Sequence, residues 1–133
     1  MMEIYQGIDL VNIPRFKQSC ERNKNFITDI FTTREREYCL KRREPYLHLA
    51  GRFAAKEAGL KALGMGMSGT GIDQSLQEIE VLAGKRGKPV VSFSGWVEKI
   101  SRKKKISNFT VSISHASDYA VATVILMGEK IPQ

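Results

Sequence analysis

Residues 52–64 read RFAAKEAGLKALG, a composition typical of a buried helix. A helix containing them can begin at Pro45, because proline suits the first helical turn, and can end at Gly64, because glycine suits the left-handed residue after a helix. The many alanine and glycine side chains are small, so a second helix or a sheet can approach the backbone closely. We therefore expect a long helix packed on several sides.

This predicted helix carries charged groups on an apolar side. Phe53, Glu57 and Lys61 are four residues apart, so they project from the same side of the helix. The ordinary interpretation of Glu57 and Lys61 is a solvated surface pair that contributes a few tenths of a kcal/mol. The alternative is a functional site, and a second acidic residue near the start of the chain favours it.

That residue is Asp9, which interrupts an apolar strand. From Glu3 to Val11 the residues alternate between two faces, and Asp9 shares its face with Gly7. A buried carboxylate needs a hydrogen bond, a cation or a metal, whereas one at a strand end can face water, and both interpretations stay open. Gly7 leaves room for another group to approach the backbone.

Composition limits the classes of protein. The chain has 133 residues, with 42% hydrophobic and 26% charged, so we expect a single globular domain over residues 1–133. The formal net charge of +7 favours an anionic partner, such as a nucleic acid, an acidic protein or a phosphate-rich small molecule. Cys20 and Cys39 are expected to be free buried thiols. We find no signal peptide and no run of ~20 apolar residues, so we expect a cytoplasmic protein with no membrane partner.

The remaining patterns predict short helices and antiparallel strands. Asn12 and Pro14 indicate the start of one helix, Thr32 with Glu35 forms the pattern of a capping box, and Ser94 precedes a third helix. Strands are predicted at residues 76–82, 90–93, 109–114 and 119–127, with a glycine-containing loop at 65–71 and a turn at 115–118. Because strands and helices do not alternate regularly, we expect an α+β fold with a largely antiparallel sheet against the long central helix.

Two arginines lie on one face of the first predicted helix. Arg15 and Arg22 are two helical turns apart. Such a face is usually solvated, and the alternative is a docking surface for an acidic partner. Asp9 and Glu57, with Lys61 beside them, are a candidate Mg²⁺ site, because Mg²⁺ takes few carboxylate ligands and completes its shell with water and substrate phosphates.

Two stretches together carry a resemblance to a known family. The first is GIDLVNIPRF at residues 7–16, and the second is FAAKEAGLKALG at residues 53–64. In this order they resemble the paired signature of the phosphopantetheinyl transferases, most closely the small bacterial holo-(acyl-carrier-protein) synthases. Supporting similarity extends over essentially the whole chain.

The resemblance implies a reaction in fatty acid biosynthesis, the transfer of 4′-phosphopantetheine from coenzyme A to a serine of apo acyl carrier protein, with release of adenosine 3′,5′-bisphosphate. By position, Asp9 and Glu57 would bind Mg²⁺ and Lys61 the transferred phosphate. Arg52 and His115 match positions near the nucleotide and are candidates for its 3′-phosphate. Glu57 and a water on the metal are both candidates for the general base.

The resemblance also implies a homotrimer with active sites between subunits. The acyl carrier protein is acidic, so Arg15 and Arg22 become candidate contacts for it. One alternative is a basic nucleic-acid-binding module, although the basic residues lack the interleaved aromatics that stacking requires. Another is an inactive scaffold that binds an acidic protein.

Overall fold

The computed structural model of the protein describes residues 1–65 and 72–131. Over these residues the strands are β1 (Met2–Asn12), β2 (Ile79–Ala83), β3 (Pro89–Phe93), β4 (Ile106–Ala116) and β5 (Tyr119–Glu129). The helices are α1 (Ile13–Arg22), α2 (Phe26–Ile30), α3 (Thr33–Leu40), α4 (Pro45–Ala62), α5 (Ile72–Gln77) and α6 (Gly95–Lys103).

The strands form two antiparallel sheets. One has the order β1-β5-β4, and the other is the β2-β3 hairpin. In the larger sheet β1 pairs with β5 along its whole length, with Asp9 opposite Ala122. The long helix α4 packs on this sheet. The expected α+β fold, with a largely antiparallel sheet against a long central helix, is therefore confirmed.

Backbone contact sets the distance between β1 and α4. A Cβ atom added to Gly7 would overlap the carbonyl oxygen of Ala58 and lie 2.8 Å from the backbone nitrogen of Ala62. Glycine at this position and alanine on the helix are what permit the approach. The group for which Gly7 leaves room is thus the backbone of α4 itself.

The two faces of the larger sheet differ in what covers them. Gly7 and Val11 face α4 and are buried, whereas the alternate residues of β1 point away from it. Among the latter, Ile4, Ile8 and Leu10 are 64%, 61% and 62% exposed. A single chain therefore leaves an apolar sheet face open.

Aromatic side chains fill the space between α1, α2 and α4. The ring of Phe16 lies 5.3 Å from that of Phe53 and 5.8 Å from that of Phe26, and the Phe26 and Phe53 rings are 5.9 Å apart. Phe31 packs edge-on against Phe16 with a centroid distance of 6.3 Å. The cluster fixes both short helices against α4.

Several local signals are confirmed. The side chain of Asn12 accepts a hydrogen bond from the backbone of Arg15, and Thr32 with Glu35 forms the capping box of α3. Helix α4 begins at Pro45, and Gly64 beyond its end has a φ of +76°. Cys20 and Cys39 are free and buried, and burial raises the pKa of each thiol to about 11.

Two boundaries were predicted wrongly. Leu76 belongs to α5, and β2 begins only at Ile79. Leu76 and Ile79 are three residues apart, which is a helical spacing, and the alternation that is typical of a strand starts only at Ile79. His115 lies within β4 instead of a turn, because the pairing with β5 continues to Ala116 opposite Tyr119 and leaves a two-residue connection. The glycines expected in the loop at 65–71 lie outside the described residues.

Candidate active site

Asp9 and Lys61 meet at the edge of the larger sheet. The Lys61 ammonium donates hydrogen bonds to Oδ1 of Asp9 at 2.8 Å and to the carbonyl oxygen of Ile8 at 3.1 Å. The side chain of Asp9 is only 10% exposed, and its second oxygen, Oδ2, is buried with no protein partner. Asp9 is therefore a buried acid with one free coordination position, so the interpretation that it faces water is wrong.

Glu57 lies beside Asp9, one helical turn before Lys61 on α4. Burial first, and then a hydrogen bond with Asp9 and charge repulsion from it, raise the pKa of the Glu57 carboxyl group to about 8, against the opposing effect of Lys61. Two carboxyl groups that share a partly buried site resist ionising together. A cation between them would remove this conflict.

The donor set suits a small divalent cation. In the described residues no group of three or more acidic, histidine or cysteine side chains surrounds a single point. Asp9 and Glu57 would therefore leave most of a metal's coordination shell to water and substrate oxygens, which is the usual manner of Mg²⁺ binding. The unpartnered Oδ2 of Asp9 and the elevated pKa of Glu57 both fit such an ion.

A pocket of ≈ 450 Å³ opens beside Glu57. Phe16, Phe26 and Phe53 contribute its apolar wall, and Arg15 lies on its lining. One predicted partner-binding residue, Arg15, and one predicted catalytic residue, Glu57, thus line the same cavity, whereas Asp9 and Lys61 are not among its lining residues. Arg22 is exposed further along α1.

Arg52 lies apart from these carboxylates. Helix α4 turns about 100° per residue, so Arg52 projects about 140° away from Glu57. Its side chain is buried, with 7% of the residue exposed, and its guanidinium carbon lies 4.6 Å from the Tyr38 ring centroid. Its Nε atom is buried without a hydrogen-bond partner. Within one chain, Arg52 does not join the Asp9 site.

His115 lies near Arg52, on β4. Its Nε2 atom is 3.2 Å from the carbonyl oxygen of Leu47, and its ring packs against Gly51 of α4. The pKa of neighbouring His48 is lowered, first by burial and then by Arg52 and His115. The two predicted nucleotide contacts therefore belong to one cationic cluster on the opposite side of α4 from Glu57.

Sequence reasoning missed other members of this cluster. Arg42 lies 4.0 Å from the Tyr38 ring centroid, and the rings of Tyr38 and His48 are 6.3 Å apart. Tyr38 and Arg42 are four residues apart, so that contact is local, whereas His48 meets Tyr38 only because α3 and α4 pack together in the folded chain. His48 lies within α4, and its edge-on contact with Tyr38 is typical of a structural residue.

In the described part of the chain, no helix is long and apolar enough to cross a bilayer.

A family model described as the 4′-phosphopantetheinyl transferase superfamily matches residues 6–124. Holo-[acyl-carrier-protein] synthase of Caldanaerobacter subterraneus is 41% identical over 127 residues, which cover 96% of this chain and 97% of that one.

Solved structures of related synthases match this chain over most of its length. The complex of ACPS with CoA from Chronobacterium ammoniagenes matches with a TM-score of 0.83 and 31% identity, covering 96% of this chain and 99% of that one. Helicobacter pylori holo-[acyl-carrier-protein] synthase in complex with coenzyme A matches with a TM-score of 0.75 and 27% identity, covering 91% of this chain and 98% of that one.

Proposed function

The chain belongs to the 4′-phosphopantetheinyl transferase superfamily, and we propose that it transfers 4′-phosphopantetheine from coenzyme A to a serine hydroxyl of apo acyl carrier protein. Adenosine 3′,5′-bisphosphate is the other product. One observation carries the proposal: two acids and a lysine from β1 and α4 converge beside a pocket lined by Arg15.

Asp9 and Glu57 would hold Mg²⁺. When bound, the ion would neutralise charge on the pyrophosphate of coenzyme A and orient it for attack. Asp9 is held by Lys61, which fixes the direction of its free oxygen. Glu57 loses its proton when a cation shares the site, because the cation offsets the burial and repulsion that raise its pKa.

Lys61 would assist the phosphate that is transferred. Its ammonium is anchored by Asp9 and by the carbonyl oxygen of Ile8, and part of the side chain is exposed. A fixed cation at this point stabilises charge that develops on phosphate oxygens as the bond to the leaving group breaks. The serine proton leaves during the attack, and Glu57 is this chain's candidate base.

The cationic cluster around Tyr38 would bind the nucleotide. Arg52 and His115 are the proposed contacts for the 3′-phosphate of coenzyme A. The unpartnered Nε of Arg52, and the two guanidinium groups of Arg42 and Arg52 that lie against the Tyr38 ring, support an anion here. Because Arg52 projects away from Glu57, one coenzyme A would reach both groups most easily between two subunits.

We propose a homotrimer for the same reason. The open sheet face with Ile4, Ile8 and Leu10 is too apolar to be expected in contact with water on a functioning protein. Burying it between copies of the chain would bring their larger sheets together, with each α4 on the outer side of its own sheet. The nucleotide cluster of one subunit could then complete the Asp9 site of the next.

The carrier protein would dock on α1. Arg15 and Arg22 are exposed on this helix, and Arg15 lies beside the cavity that contains Glu57. The net charge of +7 favours an acidic partner and would accelerate its association. The serine of the partner would enter over the aromatic wall.

Intact mass measurement tests the proposal. We expect purified apo acyl carrier protein to gain the mass of one phosphopantetheine group when incubated with the protein, coenzyme A and Mg²⁺. Chromatography should detect an equal amount of adenosine 3′,5′-bisphosphate. EDTA and the Glu57→Ala variant should each abolish both signals. Binding of several carriers without any mass gain would instead favour a non-catalytic scaffold.

A further inference from the structure

Lys56, the residue before Glu57, has a fully buried ammonium group. Its Nζ atom donates hydrogen bonds to Oε1 of Glu35 at 2.7 Å and to the carbonyl oxygens of Leu76 and Ile79 at 2.8 and 2.7 Å. Lys56 and Glu35 are both 0% exposed. Each of the three ammonium protons therefore has an acceptor in the protein interior.

Glu35 extends this contact to two more backbone groups. Its Oε1 atom accepts a hydrogen bond from the backbone of Thr32 at 2.8 Å, and its Oε2 atom accepts one from the backbone of Val81 at 2.7 Å. The ion pair thus joins the start of α3, the middle of α4, the end of α5 and the hairpin strand β2. Removing one partner would leave the other charged and buried, which is strongly unfavourable.

Two routes connect Lys56 to the aromatic wall of the pocket beside Glu57. In the first, Lys56 holds α5 at Leu76, and the adjacent Gln77 donates a hydrogen bond to the carbonyl oxygen of Thr28 in α2 at 2.8 Å. Helix α2 carries Phe26, a pocket residue.

The second route runs through packing. The ammonium of Lys56 lies 5.4 Å from the ring centroid of Phe31. Phe31 packs edge-on against Phe16, which also lines the pocket. The aromatic wall of the cavity and the wall that carries Glu57 are consequently both fixed relative to the buried ammonium group of Lys56.

We propose that Lys56 is a positioning residue for the transfer reaction. By joining α4 to α3, α5 and β2, and through Gln77 of α5 to α2, it keeps Glu57 and the aromatic wall at the separation that the entering serine segment requires. This inference rests on the proposed function. A solely stabilising ion pair would change the free energy of unfolding and leave turnover per folded molecule unchanged.

The first test is Lys56→Met, which keeps an unbranched side chain and removes the charge. The control is Lys99→Met, the same change at an exposed lysine of α6. At a temperature where circular dichroism reports complete folding, kcat should fall by about tenfold to 100-fold in Lys56→Met, since small displacements of reacting groups have effects of that size. The KM for coenzyme A is measured as well, because Arg52 lies one helical turn before Lys56 on the same side of α4. A rise in this KM with an unchanged kcat would overturn the proposed positioning of Glu57.

A second variant covers the event that Lys56→Met does not fold. Gln77→Ala removes the link between α5 and α2 and leaves the buried ion pair intact. We expect a lower kcat/KM for the carrier protein at an unchanged midpoint of thermal unfolding. Wild-type turnover per folded molecule in every folded variant would overturn the positioning role.

A measurement that does not depend on enzymatic turnover distinguishes this inference from the proposed function. Nuclear Overhauser effects between the rings of Phe26 and Phe53, whose centroids are 5.9 Å apart, report the aromatic wall directly. They should weaken in Gln77→Ala and in folded Lys56→Met, and persist in Lys99→Met. Unchanged effects in the first two variants would refute the inference, whereas absence of transfer by the wild-type protein would refute only the proposed function.

Discussion

Lys61 and Asp9 are joined by a 2.8 Å hydrogen bond that occupies only one of the two carboxylate oxygens. The other oxygen is buried, and among the described residues the neighbouring side chain that can donate to it is the carboxyl group of Glu57 while that group is protonated. Once Glu57 ionises, Asp9 is left with a buried unpartnered oxygen, which is unfavourable in the isolated chain, so the site is arranged for a cation that arrives from outside. The first prediction concerns that cation.

Removal of either acid should abolish metal-dependent transfer. We expect Asp9→Asn and Glu57→Gln each to lower kcat/KM by at least about 100-fold, because a neutral amide is a poor ligand for Mg²⁺. Glu37→Gln, on the exposed surface of α3, is the matched control. Mass spectrometry of the carrier protein measures the rates, and near-wild-type rates in both acid variants would exclude this metal site.

The metal-free protein should lose stability as the pH rises from about 4.5 to about 8. Glu57 has a pKa of about 8 in the folded chain, against an ordinary value of 4.5, so the folded state holds a proton that the unfolded state has already released. Mg²⁺ needs the ionised carboxylate, so its stabilising effect should grow over the same range. Calorimetry at several pH values, with and without Mg²⁺, measures both trends. Identical slopes in Glu57→Gln would contradict the assignment.

Gly7→Ala should be severely destabilising. The new methyl group would overlap the carbonyl oxygen of Ala58, and neither backbone can retreat without breaking the sheet or the helix. We expect a loss of about 3 kcal/mol or more in the free energy of unfolding, measured by urea denaturation. Gln6→Ala, one residue earlier and on the open face of the sheet, should have a small effect. Similar losses in the two variants would argue against the backbone contact.

Reversing charge on α1 should slow the reaction with the carrier protein in a salt-dependent way. For Arg15→Glu we expect a loss of about tenfold in kcat/KM at low salt, which shrinks as ionic strength increases. Arg22→Glu should also lower kcat/KM at low salt. Lys103→Glu makes the same charge change on α6, and an equal effect there would indicate general attraction without a docking site on α1.

The open face of the larger sheet should be an interface between copies of the chain. We expect analytical ultracentrifugation to give a trimer for the wild-type protein and smaller species for Ile4→Asp, because a carboxylate would be buried there without a partner. Leu40→Asp places the same charge at an exposed apolar residue of α3 and should leave the trimer intact. A monomeric wild-type protein would refute the proposed assembly.

The acids of the site could be found from sequence because each breaks a local pattern. Asp9 interrupts an apolar strand, and Glu57 occupies an apolar side of a helix rich in alanine. The periodicity of apolar residues in these two segments was clear enough to predict β1 and α4 from the sequence. Helix α5 was missed because it is short, so its spacing does not separate it from the strand that follows.

The contacts of Lys56 and of Arg52 were beyond prediction for a different reason. Glu35 lies on another helix, and the acceptors at Leu76 and Ile79 are backbone oxygens that carry no sequence signal. Tyr38 meets Arg52 only because α3 and α4 pack together. Such contacts depend on tertiary structure, which periodicity does not encode.

The pairing of β1 with β5 has a consequence for biosynthesis. Among the described strands, β5 is the only sheet partner of β1, and it is the last of them in chain order. The strand that carries Asp9 must therefore remain without a sheet partner until β5 has been translated. A chain that stops before β5 would contain every proposed catalytic residue and still lack the strand that pairs with β1, so transferase activity would require translation to have passed β5.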